Sequence, residues 1–318
     1  MTSAAFLESP AALCGLGLSL LLAPLLKGVI NRVKAIFGGR KGRPLLQLYF
    51  DIHKLLKKRP VYSHTTTWFF QAAPSAGVAA GALALCVMPF GALGAVVSFP
   101  GDFVFLGGLF ALARFTLMLS ALDTGSAFEG MGTAREALFS ALAEPIFLFC
   151  LVILGFTMRE HSLAGMIGGI APEIWAANWP FYLMIAACLF LLLLPENCRI
   201  PADDPNTHLE LTMIHEVMIL DHSGPDLALL EYASALKLWT FCLLIAGVTV
   251  PALHGPLPPG DAGAVALSVA ATLGMIFAMG VLVGFVESVM ARFRMERVPQ
   301  ILTLAGCFAC LAALSLWR

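Results

Sequence analysis

Eight long apolar runs divide the sequence, over residues 8–30, 68–92, 102–122, 136–158, 178–195, 231–251, 263–290 and 298–317. Wound as a helix, about 20 such residues cross the hydrocarbon core of a bilayer. In that core every backbone N–H and C=O must be satisfied by the chain itself, which leaves only helices and closed barrels. The alternation of a barrel strand is absent. The runs therefore predict an all-α polytopic membrane protein with eight transmembrane helices. Composition agrees: the 318-residue chain is 59% hydrophobic and 12% charged, against about 45–50% and 25% in soluble domains. Residues 1–318 read as a single transmembrane domain, with no soluble domain or low-complexity linker between the runs. The N-terminus lacks the basic region that opens a cleaved signal peptide.

Lys and Arg set the expected orientation. The connection 31–67 carries nine of them, and 291–297 adds Arg292, Arg294 and Arg297. The alternate connections 93–101 and 252–262 carry none. The positive-inside rule then predicts cytoplasmic connections at 31–67, 123–135, 196–230 and 291–297, with both termini outside. Within 31–67, Pro44 and Pro60 bracket an expected helix. Leu45, Leu48, Ile52 and Leu55 form one stripe; Gln47, Asp51, Lys54 and Lys58 form another. That pattern fits an amphipathic interfacial helix, whose basic flank either binds lipid phosphates or docks a cytoplasmic partner.

The same orientation gathers acids at one membrane face. Asp123 closes the third run and Glu196 the fifth, Glu231 opens the sixth, and Glu287 lies near the inner end of the seventh. Glu129 and Glu136 fall in the loop before the fourth run, and Glu144 sits about two turns into it. Ionisable groups within a membrane persist mainly where they face one another, water or the bundle interior. Pro145 follows Glu144 and frees a backbone carbonyl one turn earlier, where water binds. Two readings follow for Glu144: a desolvated, proton-trading carboxylate, or a structural ion pair with Arg114 or Lys237, both of which also lie within spans.

The segment 203–226, DDPNTHLELTMIHEVMILDHSGPD, holds six carboxylates and three histidines and no Lys or Arg. Asp204-Pro205 reads as a helix start and Gly224-Pro225 as a stop. A helix of about 17 residues between them would be near 25 Å long, short for a span. It would place His208, His215 and His222 on one stripe about 10.5 Å apart, too far to share one metal ion. The Cys307–Cys310 pair reads as two small residues on one helix face, and the scattered cysteines offer no four-thiolate set for an iron–sulfur cluster. No nucleophile–base motif, phosphate loop or nucleic-acid signature appears, so no nucleic acid partner is expected.

RIPADDPNTHLELTMIHEVMILDHSG (199–224) closely resembles the membrane subunit of group-four nickel–iron hydrogenases of formate hydrogenlyase type, itself homologous to the quinone-site membrane subunit of respiratory complex I. GRKGRPLLQLYFDIHKLLKK (39–58), GMGTAREALFSALAEP (130–145) and VESVMARFRMERVP (286–299) extend the match along essentially the whole chain. Eight spans is the family count. The resemblance implies a multi-pass subunit of the bacterial cytoplasmic membrane that holds no cofactor itself. It would anchor the large and small hydrogenase subunits, with their nickel–iron centre and iron–sulfur clusters, on the cytoplasmic face, beside antiporter-like membrane subunits within the lipid bilayer. The coupling path would run through Glu144, Glu196, Asp203, Glu210, Glu216, Asp221, Glu231, Glu287 and Asp123, with Arg114 and Lys237. Arg40, Arg43, Asp51, Lys54, Arg199, Asp204, His208, His215 and His222 would face the partners. Where complex I relatives read R-x-P-F-D-x-P-E-A-E-x-E-L, this chain has Ala202, Asn206 and His208, a departure that favours the hydrogenase branch. The alternatives are a quinone-site subunit of a complex I-type enzyme and a passive anchor that moves no ions.

Overall fold

The computed structural model describes residues 10–203, 214–252 and 262–316. Its spans are α1 (Pro10–Phe37), α3 (Trp68–Val87), α4 (Asp102–Asp123), α5 (Ala127–Met158), α8 (Trp179–Glu196), α10 (Pro225–Thr249), α11 (Ala262–Val289) and α12 (Val298–Ser315). All eight are long and apolar enough to cross a membrane. Four shorter helices join them: α2 (Gln47–Leu56), α6 (Leu163–Gly168), α7 (Pro172–Ala177) and α9 (His215–Met218). Among the described residues there is no strand.

α10 forms the centre of the bundle. Trp239, Phe241, Leu243 and Leu244 are buried at 2% exposure or less, and α10 packs against α3, α1, α8 and α11. Around it, α4 lies on α3 and α5, α12 on α8, and α1 on α11. Lipid tails are as apolar as these side chains, so close packing rather than water exclusion holds the helices together. Phe110, Phe147 and Phe241 meet at ring-centroid distances of 5.4–6.0 Å and lock α4, α5 and α10.

The charged connections collect on one face, termed here the basic face. The hydroxyl of Thr67, the N-cap of α3, donates to the carboxylate of Asp123 at the end of α4, and its backbone N–H donates to the same carboxylate at 2.6 Å. The end of α8 closes with Arg199 N–H donating to the Leu194 carbonyl at 2.8 Å, across Cys198 in the left-handed region (φ 51). A cap of this kind turns the chain sharply after the helix, and it aims Arg199 back at α11. α2 lies against α1 and α10, with Leu48, Ile52 and Leu55 half-buried and Lys54 and Lys58 exposed. Its first turn begins at Gln47 rather than at Pro44.

Three sequence expectations need correction. α5 begins at Ala127, so Glu129 and Glu136 lie on the helix and not in a loop. The glycines and charges of 129–136 lower local hydropathy, but Gly132 lets the chain around α9 come close: a Cβ there would sit 2.9 Å from the Ile214 carbonyl. α10 starts at Pro225, which places Glu231 in its second turn. Finally, the described part of the 17-residue helix amounts to four residues, His215–Met218, followed by a turn. Ile214, Val217, Met218 and Ile219 are all buried, an all-round burial that a helix lying on the membrane surface does not have. The stripe geometry of His215 and His222 therefore does not apply. Asp204, His208 and Glu210 lie outside the described residues.

A carboxylate belt around a cavity

Arg114 is the centre of the site. It sits mid-way along α4 and is 6% exposed. Its guanidinium faces three carboxylates: Nε lies 3.1 Å from Glu136, while Nη1 and Nη2 pair with Glu144 and Glu196. Glu196 also meets Lys237 of α10 at 2.7 Å. The cluster thus joins α4, α5, α8 and α10 and holds three carboxylates against two cations. A planar guanidinium with five N–H donors suits this role, since it can serve several carboxylates at fixed angles.

The exposure of the three acids differs. The side chain of Glu196 is 7% exposed, that of Glu136 is 15%, and that of Glu144 is 41%. Glu144 therefore occupies the outer edge of the cluster, on the side of the bundle away from its core, half-way along a spanning helix. Glu144 pairs with Arg114, while Lys237 pairs with Glu196.

Inward from the cluster lies a cavity of about 390 Å³. Lys27, Arg114, Glu136, Glu196, Arg199, His215, Glu216, Glu231 and Lys237 face it, with Arg43 and Asp51 at the α2 side. Lys27 of α1 bonds Glu231 at 2.7 Å and donates to Ser234 Oγ at 2.5 Å. Burial pushes the His215 imidazole down to about 4, against the pull of the Glu231 carboxylate. A neutral imidazole can accept a hydrogen bond at one nitrogen and donate to a carbonyl from the other without adding a charge.

Two more ion clusters continue towards the basic face. Glu287 of α11, 5% exposed, is held by Lys34 at 2.8 Å and faces Arg199 at 3.5 Å. Asp203 meets Arg292 at 2.7 Å and accepts the backbone N–H groups of Ile214 and His215, both at 3.3 Å, so it pins the start of α9. A space of about 10 Å³, close to the size of one water molecule, separates Glu136 and Glu196 from Asp203 and links the belt to the Asp203 pair.

The expected residues thus divide. Glu144, Glu196, Glu216, Glu231, Arg114 and Lys237 come together at or around the cavity, and Glu287 and Asp203 sit beside it. Asp123 is turned away and serves as the cap partner of Thr67. Asp221 is exposed, in the turn that faces Glu129. Arg199 and His222 are buried, while Arg40 and Lys54 are exposed. His222 stacks flat on Phe70, with centroids 3.9 Å apart, and burial pushes its pKa down to about 4. Sequence reading missed Glu136, Lys27 and Lys34. Lys27 was findable, because a lysine inside an apolar run must have a partner; Glu136 was hidden by the loop expected there. Among the described residues, no group of three His, Cys, Asp or Glu side chains is placed to hold a metal ion.

Residues 11–317 match the family model described as NADH dehydrogenase. Formate hydrogenlyase subunit 4 of Escherichia coli (strain K12) is 28% identical over 295 residues, covering 93% of this chain and 94% of its own. Hydrogenase-4 component C of the same organism is 28% identical over 293 residues, covering 92% and 91%. A chain from the structure of the membrane-bound sulfane sulfur reductase, an archaeal respiratory membrane complex, superposes with a TM-score of 0.78 at 18% identity, covering 96% of this chain and 97% of that one, and so shares the fold. Eight apolar spans around a charged cavity, and a family match along nearly the whole chain, make this a multi-pass membrane protein of the NADH dehydrogenase family.

Proposed function

We propose that the chain is the membrane anchor and coupling subunit of a multi-subunit nickel–iron hydrogenase complex of formate hydrogenlyase type. Its basic face is the cytoplasmic one and carries the large and small hydrogenase subunits, which hold the nickel–iron and iron–sulfur centres. The carboxylate belt passes protons, or sodium ions, from the cavity towards antiporter-like membrane subunits. One observation carries this reading: Arg114 holds Glu196 and Glu136 at the cavity and Glu144 at the outer edge of the bundle. Three carboxylates share two cations, so one carboxylate is in surplus. A surplus acid shared across the cluster can accept a proton on the cavity side and release one at Glu144.

The cavity also supports a second reading, a quinone-site subunit. Ala73, Gly77, Phe110 and Leu117 give it an apolar wall next to the charged one, the combination that a quinone ring needs. Purification by a tag on this chain separates the two. On the first reading, the tagged chain brings down hydrogenase subunits and hydrogen-forming activity that needs no quinone. Quinone reduction by the purified complex, without hydrogen formation, overturns it in favour of the second.

A further inference from the structure

A second cavity, of about 420 Å³, opens at the basic end of α1, outside the carboxylate belt. Asn31, Lys34, Arg40 and Arg43 supply its polar wall, and no carboxylate lines it. Lys34 is shared with Glu287. Arg40 and Arg43 are exposed and form no ion pair among the described residues.

A strip of uncovered apolar side chains lies beside these cations. Ile36 and Phe37 of α1 are 66% and 56% exposed; Phe285 and Val289 of α11 are 46% and 62% exposed. Phe37 meets Phe285 edge-on at 5.6 Å between centroids, so the strip bridges the packed ends of α1 and α11. Every member of the strip belongs to the end of a spanning helix, as does Lys34, while Arg40 and Arg43 lie just beyond α1.

We propose that this end of α1 and α11 binds an anionic phospholipid. The phosphate occupies the cup of Arg40, Arg43 and Lys34, where arginine donors can grip it in pairs. The acyl chains lie on Ile36, Phe37, Phe285 and Val289. Position selects a lipid as the occupant: the strip lies on the last turns of two spanning helices, and Arg40 and Arg43 follow directly after α1 at that same end. A free phosphate has no use for the strip.

The test uses the full-length chain in detergent, with native mass spectrometry and three probes: phosphatidylglycerol, phosphatidylcholine and inorganic phosphate. A basic residue near an anionic surface contributes roughly fivefold in affinity. Arg40→Gln with Arg43→Gln is therefore expected to weaken phosphatidylglycerol binding about 30-fold, while Lys57→Gln with Lys58→Gln at the far end of α2 changes it less than about twofold. Each single arginine variant is expected to lose about fivefold, which keeps the test open if the double variant does not assemble. Phosphatidylcholine bound as tightly as phosphatidylglycerol overturns the proposal. So does inorganic phosphate displacing the lipid at equal concentration. Loss of soluble subunits from the complex, with lipid binding intact in the double variant, overturns it in favour of a protein docking surface.

Discussion

Arg114→Met tests whether the belt is held by one cation. The substitution removes the guanidinium and keeps an unbranched apolar side chain. Its three acid partners are not equally affected. Glu196 keeps Lys237 at 2.7 Å. Glu144, with 41% of its side chain exposed at the outer edge, has room to swing away from the cluster. Glu136, 15% exposed, has Arg114 as its one ion-pair partner among the described residues and is left stranded. A single stranded buried charge costs about 3–5 kcal/mol, a fall in thermal midpoint of roughly 5–7 °C for a chain of this size. Adding Glu136→Gln to the Arg114→Met background should recover most of that loss; adding Glu144→Gln should recover little. The assay is thermal unfolding of the detergent-solubilised chain, followed by a thiol-reactive dye that reports the buried Cys150, Cys188 and Cys242 as they become accessible. An unchanged midpoint in Arg114→Met, or equal rescue by both second substitutions, would refute the reasoning.

Two further predictions concern the basic face. The folded chain holds His222 and His215 neutral down to about 4, whereas the unfolded chain takes up protons below about 6.5. Folding stability is therefore complete above that value and declines as pH falls from about 6.5 towards 4; His222→Phe, which preserves the stack on Phe70, should flatten this slope in midpoint-versus-pH measurements, and an unaltered slope would count against it. Gly224 adopts φ 57, and a Cβ there would stand 3.0 Å from the Arg59 carbonyl. Gly224→Ala should cost at least about 1–2 kcal/mol and loosen the start of α10, seen as faster amide exchange at Ala228, whose N–H donates to the Gly224 carbonyl; unchanged exchange would show that the contact is slack.

The spans were legible in the sequence because hydropathy alone requires them: a run such as 263–290 has no other stable form in a bilayer. Glu144 and Arg114 were legible for the same reason, as charges inside apolar runs. Two parts of the site were not. Helix α5 starts two and a half turns before its hydropathy does, because Gly132 faces the packed Ile214 backbone and not lipid, and so Glu136 was placed in a loop. Between 214 and 224, a plausible amphipathic helix gave way to a short buried turn, because Asp203 reaches across to the Ile214 and His215 N–H groups. Contacts of that range leave no periodic mark on the sequence. Lys34 and Glu287, 253 positions apart, are joined only by the packing of α1 on α11.

The proposal that the belt carries ions is tested most directly by the ratio of protons moved to hydrogen formed. Closed membrane vesicles bearing the intact complex, with a pH-sensitive dye on one side, measure both quantities at once. With Glu144→Gln, hydrogen formation from a soluble electron donor is expected to continue while proton movement is lost. If the ratio stays at the wild-type value, Glu144 is a structural ion pair and the chain is an anchor.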